Sequence, residues 1–98
     1  MTLLFDQNDK KDKINRKKHG IGFDEAKEIF SRPDEVLTVP DRRKDYGEER
    51  FINIGPIGDN VLVVVVYTHR AGMIRIISAR KANKRESRRY RDYFKTKA

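Results

Sequence analysis

The run VLVVVVYT, Val61 to Thr68, limits what this chain can fold into more than any other feature, because its side chains are apolar almost without interruption. Branching at Cβ suits the pleat of a strand and crowds a helical turn, so four consecutive valines favour a strand. A strand with no polar face is central in its sheet and covered on both sides. The rest of the chain must therefore supply neighbouring strands and covering elements.

Candidates lie on either side. After the connection HRAG (His69 to Gly72), the segment MIRIISA from Met73 to Ala79 reads as the partner strand. Before it, from Glu48 onward, Phe51 and Asn53 alternate with Arg50, Ile52 and Ile54, and GPIGDN (Gly55 to Asn60) is dense in turn residues. Three adjacent antiparallel strands are the economical arrangement. Val36 to Val39 adds a further short strand or extended segment, followed by the polar loop PDRRKDYG from Pro40 to Gly47.

The covering elements are helical. Asn8 to His19 reads as a polar helix with Asn8 as N-cap, Gly20 as the left-handed residue that ends it, and Ile14 with Ile21 as its apolar anchor. A second helix puts Phe23, Ala26, Ile29 and Phe30 on one face, Glu25 in its first turn, and closes at Pro33. A last helix starts near Asn83, whose spacing to Glu86 matches a capping box. Its Ala82, Tyr90, Tyr93 and Phe94 share a face that packs on the sheet, leaving Arg85, Arg88 and Arg89 outward. The expected fold is α+β: two N-terminal helices, an antiparallel sheet of three to four strands and a basic C-terminal helix. With 98 residues, a single domain over 1–98 is expected.

Charge is concentrated at one end. Residues 80–98 hold nine Lys and Arg against Glu86 and Asp92, so nearly all of the chain's net +8 lies there. Arg80, Lys81, Lys84 and Arg85 crowd the start of the last helix, where cations oppose the macrodipole at roughly 0.3–1 kcal/mol each. Converging N–H groups and cations at that junction attract an anion. The pI near 9.9 favours RNA, DNA, an acidic protein or an anionic membrane surface as partner, and charge alone does not choose among them. The absence of cysteine excludes a disulfide framework, a thiolate metal site and a cysteine nucleophile. No apolar run approaches the ~20 residues of a membrane span, and MTLLFDQNDKK lacks a signal-peptide core. A soluble protein of the bacterial cytoplasm is expected.

KDKINRKKHGIGFDEAKEIF, EERFINIG, the strand ending VVYTHR, and IRIISARKANKRESRRY follow one another in the order and spacing of BrnT-type toxins. The chain resembles that family over most of its length, most strongly at Asn15 to Gly20 and from Arg75 to Tyr90. The resemblance implies a RelE-like ribonuclease fold and a toxin of a type II toxin–antitoxin system that inhibits translation and growth. It implies neutralisation by a BrnA-like antitoxin carrying a ribbon-helix-helix segment, in a 2:2 heterotetramer that reaches operator DNA only through the antitoxin. Two adjacent positions depart: members commonly carry Trp-Asp before the first helix, where Gln7 and Asn8 stand here, while Phe5 keeps an aromatic.

Metal-independent RNA cleavage needs a base for the 2′-hydroxyl, cations for the phosphate and an acid for the leaving 5′-oxygen. No metal or other cofactor is required, and two His without Cys make a poor zinc site. Arg75, with Met73 and Ile77 on one face of an apolar strand, is costly unless it lines a cleft or pairs internally with Glu48, Glu49 or Asp59. Arg80 begins the anion-attracting junction, or is a solvated residue of the connection. His19 has a pKa range suited to proton transfer, although a histidine at a helix C-terminus is as readily a cap, and the resemblance favours function. Lys18 is either a phosphate clamp or a solvated lysine.

Glu49 and Arg50 offer a base and a cation at the sheet rim, or a surface pair worth little. Arg70 can reach the same cleft. Lys81, Lys84, Arg85, Arg88 and Arg89 form an electrostatic platform for RNA or a plain solvated helix face, and Tyr90 is a packing residue or an RNA contact. The catalytic set is thus Lys18, His19, Glu49, Arg50, Arg70, Arg75 and Arg80. The competing reading is a non-catalytic basic module that docks an acidic protein or nucleic acid.

Overall fold

The computed structural model describes residues 3–6 and 8–97, so the expectation at Gln7 lies outside the described residues. Helix α1 (Asp9–His19) and the single turn α2 (Phe23–Ala26) lead into 3-10 turns over Lys27–Ser31 and Pro33–Glu35. Strands β1 (Leu37–Pro40), β2 (Arg50–Ile57), β3 (Val61–Arg70) and β4 (Met73–Lys81) follow, then helix α3 (Lys84–Lys97). All pairings are antiparallel, in the order β1-β2-β3-β4. The α+β expectation holds, with four strands.

From Val63 to Thr68 the run is buried on both sides, while Val61 at its start is exposed. Val63, Val65 and Tyr67 join Ile21, Phe23, Ala26 and Ile29 under the N-terminal segment. Val64 faces the other way, with Leu37 and Ile54, against Ala82, Tyr90, Tyr93 and Phe94 on and before α3. Each fully buried valine contributes on the order of 1.5–3 kcal/mol.

Several boundaries differ from the sequence expectation, each for a physical reason. GPIGDN is not all turn, because β2 continues through Gly55 and Pro56 to Ile57. Pro56 is tolerated since β1 pairs only with Phe51 to Ile54, leaving no ladder bond for its missing N–H to break. Gly55 allows a close approach: a Cβ there would lie 3.0 Å from Val36 Cγ2 and 3.2 Å from the Glu35 carbonyl. His69 and Arg70 belong to β3, and the connection shrinks to Ala71 and Gly72, both at positive φ, the conformation of a tight type I′ hairpin. The second helix is a single α turn that tightens to 3-10, and Pro33 opens the next 3-10 turn rather than simply ending the helix.

The anchor of α1 also differs. Ile14 is 59% exposed, while Ile21 is buried as expected. The buried residue of α1 is Asn15. Its side-chain amide donates to the Ala79 carbonyl at 2.8 Å and to the Ile21 carbonyl at 2.9 Å, and its oxygen accepts from the Ala79 N–H at 3.1 Å. It thereby acts as one rung of a fifth strand along the open edge of β4. Further down that edge, Ile74 N–H donates to the Leu4 carbonyl and Asp6 N–H donates to the Ile74 carbonyl, a short parallel bridge. An unpaired strand edge invites association with other chains, and here both ends of β4 are occupied.

Candidate functional site

Strand register places the sequence-predicted arginines. Arg50 on β2 stands opposite Thr68 on β3, which stands opposite Arg75 on β4. Directly opposed residues share a face, so Arg50 and Arg75 flank Thr68 two strand spacings apart, roughly 10 Å. The next rows on this face are Val39–Ile52–Val66–Ser78 and Leu37–Ile54–Val64–Arg80. Helix α3 covers the β1–β2 side of those two rows. The Arg50–Thr68–Arg75 row lies beyond that packed cluster, and Arg70, two residues after Thr68, faces the same side. Four arginines thus share one sheet face.

Their partners differ. Among the described residues Arg75 has no carboxylate partner, so the internal salt bridge allowed for it does not form. Arg50 donates from Nε to Glu48 Oε2 at 3.0 Å, and its guanidinium lies 4.0 Å from the centre of the Tyr46 ring. The same Glu48 reaches Arg70 at 3.6 Å. The carboxylate beside Arg50 is therefore Glu48, while Glu49 is exposed and contributes its backbone carbonyl to the Thr68 hydroxyl.

Arg80 sits in a fork. Its Nη1 and Nη2 donate to the two carboxylate oxygens of Glu86, both at 2.7 Å. Glu86 also accepts from the Asn83 N–H at 2.9 Å, and the Asn83 side chain accepts from the Glu86 N–H at 2.8 Å. The expected capping box forms and shares its acid with Arg80. Hydrogen bonding from Arg80 holds the Glu86 carboxyl below its ordinary range, and Glu86 in turn raises the Arg80 pKa. Arg43 lies near enough for its charge to act on both groups.

Arg43 itself comes from the polar loop, where Asp41 orients it. The Asp41 side chain is fully buried and accepts two bonds from the Arg43 guanidinium at 2.8 Å and one from its backbone N–H at 3.2 Å. The Arg43 hydrogen bonds lower the Asp41 pKa to about 2, against the opposing effect of burial. Neither Arg43 nor the Tyr46 ring carried any periodic signal in sequence. The Asp-x-Arg spacing of an Asx-type turn was the only hint.

Lys18 and His19 end α1 beside the β4 edge. With Lys11, Ile14, Asn15, Ile77 and Ser78 they line an open depression of about 310 Å³. Ser78 stands opposite Val66 on the arginine face, so this depression adjoins the site at β4. Ile77 is an extra residue in the ladder, since Tyr67 pairs with Ile76 and Val66 with Ser78. Such a bulge re-aims the side chains around it.

Other expected site residues lie elsewhere. Lys81 pairs with Val63, hence on the opposite sheet face, and lines a depression with Ile21, Ile57 and Val63. His69 also lies on that face, with its ring 5.8 Å from Phe51 and 5.7 Å from Tyr67. Lys84, Arg85, Arg88 and Arg89 are exposed on α3; Arg89 lines a groove with Leu37, Val39 and Tyr93 beside β1. The Tyr90 hydroxyl donates to the Glu35 carbonyl at 2.6 Å. Among the described residues no three His, Cys, Asp or Glu side chains are grouped to hold a metal ion. None of the described helices is long and apolar enough to cross a membrane.

The fold recurs in a solved structure. The crystal structure of the Brucella abortus ribonuclease toxin BrnT matches with a TM-score of 0.66 at 21% identity, over 85% of this chain and 100% of that one. In sequence, the family described as the ribonuclease toxin BrnT of type II toxin–antitoxin systems matches residues 6–86. The chain belongs to this BrnT family of ribonuclease toxins. No curated protein sequence matches it.

Proposed function

We propose that the chain is a metal-independent RNA endonuclease that inhibits translation and is neutralised by a BrnA-like antitoxin. The observation that carries this reading is Arg75, a cation on the sheet face with no carboxylate partner among the described residues and with Arg50, Arg70 and Arg80 on the same face. Phosphate is a suitable counter-charge for such a face, and arginine's fork matches its geometry.

In the proposed reaction the 2′-oxygen attacks the adjacent phosphorus in line. The phosphorus–5′-oxygen bond breaks, leaving a 2′,3′-cyclic phosphate and a 5′-hydroxyl. Arg75 and Arg80 stabilise the added negative charge on the phosphoryl oxygens. His19, beside the β4 edge, is the candidate to accept the 2′-hydroxyl proton; Glu48 replaces Glu49 as the carboxylate in contact with the arginines. Lys18, Lys84, Arg85 and Arg88 attract the flanking strand, and Tyr46 offers a ring for base stacking once Arg50 moves.

The test is purified, antitoxin-free protein incubated with single-stranded RNA in EDTA. Cleavage with cyclic-phosphate ends, lost in Arg75→Ala, is expected. Intact RNA, or equal cleavage by Arg75→Ala, overturns the reading in favour of a basic docking module.

A further inference from the structure

We infer that the depression between α1 and the β4 edge is the docking site for an acidic amphipathic segment of the antitoxin, presenting an aliphatic side chain flanked by carboxylates. This rests on the functional reading in two respects, the identity of the partner as an antitoxin and the roles of Lys18 and His19. The chemistry of the surface itself comes from its residues.

Lys11, Ile14 and Lys18 recur at helical spacing on α1, so they form one stripe. Ile14 sits in the middle of that stripe, 59% exposed, on an otherwise polar helix. Across the depression lies Ile77, the bulged residue of β4, beside Ser78. Among the described lining residues Ile14 and Ile77 give an aliphatic floor beside the polar Asn15 and Ser78, and the rim is Lys11, Lys18 and His19, with no carboxylate.

That combination selects protein over RNA. Single-stranded RNA is held by phosphate contacts and by aromatic rings on which bases stack. The described lining residues include no Phe, Tyr or Trp, and a nucleotide gains little from Ile14. A leucine or isoleucine between two glutamates satisfies both parts, burying the aliphatic floor while its carboxylates meet the lysines. Occupation would also cover Lys18 and His19, so docking and neutralisation become the same event.

The full-length protein is tested with a capped synthetic two-heptad peptide carrying Leu on one helical stripe and Glu on both flanks. The controls are the same peptide with Ser for Leu, and a short single-stranded RNA. We expect the Leu/Glu peptide to shift the backbone amide resonances of Ile14, Lys18, Ile77 and Ser78, and to bind at least about tenfold tighter than the Ser control. Ile14→Gln, a substitution at an exposed helical position, should weaken the peptide about tenfold and leave RNA affinity within about twofold. No binding, equal binding by the Ser control, or shifts confined to α3 overturns the inference. So does a comparable loss of RNA affinity in Ile14→Gln, which makes the depression part of the RNA cleft. Failure of RNA cleavage in EDTA is a separate result that removes the enzymatic reading and leaves the peptide measurements interpretable.

Discussion

Arg80 and Glu86 meet fork to fork, two 2.7 Å bonds joining the last rows of β4 to the first turn of α3. The same carboxylate caps the helix at Asn83. A phosphate that takes the Nη1–Nη2 fork of Arg80 must displace Glu86, and that exchange loosens the helix start. Glu86→Gln should therefore lower stability by about 1 kcal/mol in urea denaturation. It should also strengthen RNA binding roughly three- to tenfold at low salt. Unchanged or weaker RNA binding would show that Arg80 is not a phosphate ligand.

Arg75 has no such acid among the described residues, and its loss should be felt in turnover rather than folding. Arg75→Ala is expected to reduce cleavage about a hundredfold or more, with the urea midpoint nearly unmoved. Arg75→Lys should recover only part of the rate, since an ammonium does not reproduce the guanidinium fork. Single-turnover rates on a defined RNA check both.

The α3 arginines should behave differently. Replacing Arg85, Arg88 and Arg89 together by Ala removes exposed charge without touching the Arg50–Thr68–Arg75 row. RNA affinity should fall and its dependence on salt should flatten, by up to about 0.7 in log–log slope for each phosphate that is no longer neutralised. The cleavage rate at saturating RNA should stay close to wild type. A collapse of that rate would place these residues in the chemistry.

Acid should loosen the polar loop at the low end of the carboxylate range. Asp41 titrates at about 2 in the fold against an ordinary 3.8, so its contribution to stability is complete above the ordinary value and disappears as pH falls toward 2. Arg43 is 61% exposed; solvent screening holds the contribution to about 1 kcal/mol. Glu86, also lowered, loses its share on the acid side of the ordinary carboxylate range. Asp41→Asn should reduce the stability difference between neutral pH and about pH 2.5, measured by urea midpoints. An undiminished difference would assign the acid sensitivity elsewhere.

Asn15→Ala should cost more than any of these, about 2–4 kcal/mol. It strands the N–H and carbonyl of Ala79 and the carbonyl of Ile21 in a buried place. Asn15→Asp keeps an acceptor for the Ala79 N–H but loses the donor, and should not rescue. A midpoint within about 0.5 kcal/mol of wild type would contradict the role.

What the sequence made legible were features whose partners lie close by. The caps at Asn8, Gly20 and Asn83, the buried valine run and the aromatic face of α3 each rest on neighbours within a turn or an alternation. Asn15 gave no such signal, because a polar residue in a polar helix reads as solvated and its partner is distant. Ile14 misled for the converse reason: an aliphatic residue in that helix looks like an anchor when only the tertiary structure says which side docks. Pro56 suggested a turn because its tolerance depends on where β1 ends, which no local pattern encodes. At the site, alternation revealed Arg75, while Arg43 and the Glu48 bridge depend on how a loop folds back.

The bond between Asn15 and Ala79 spans 64 residues. During synthesis, the first helix therefore leaves the ribosome long before the strand it docks on exists. Arg75 and Arg80 emerge at the same late stage as that strand. A chain that stops early has neither a sealed sheet nor the two arginines proposed to hold the phosphate, so on that proposal folding and harmfulness arrive together in the order of translation.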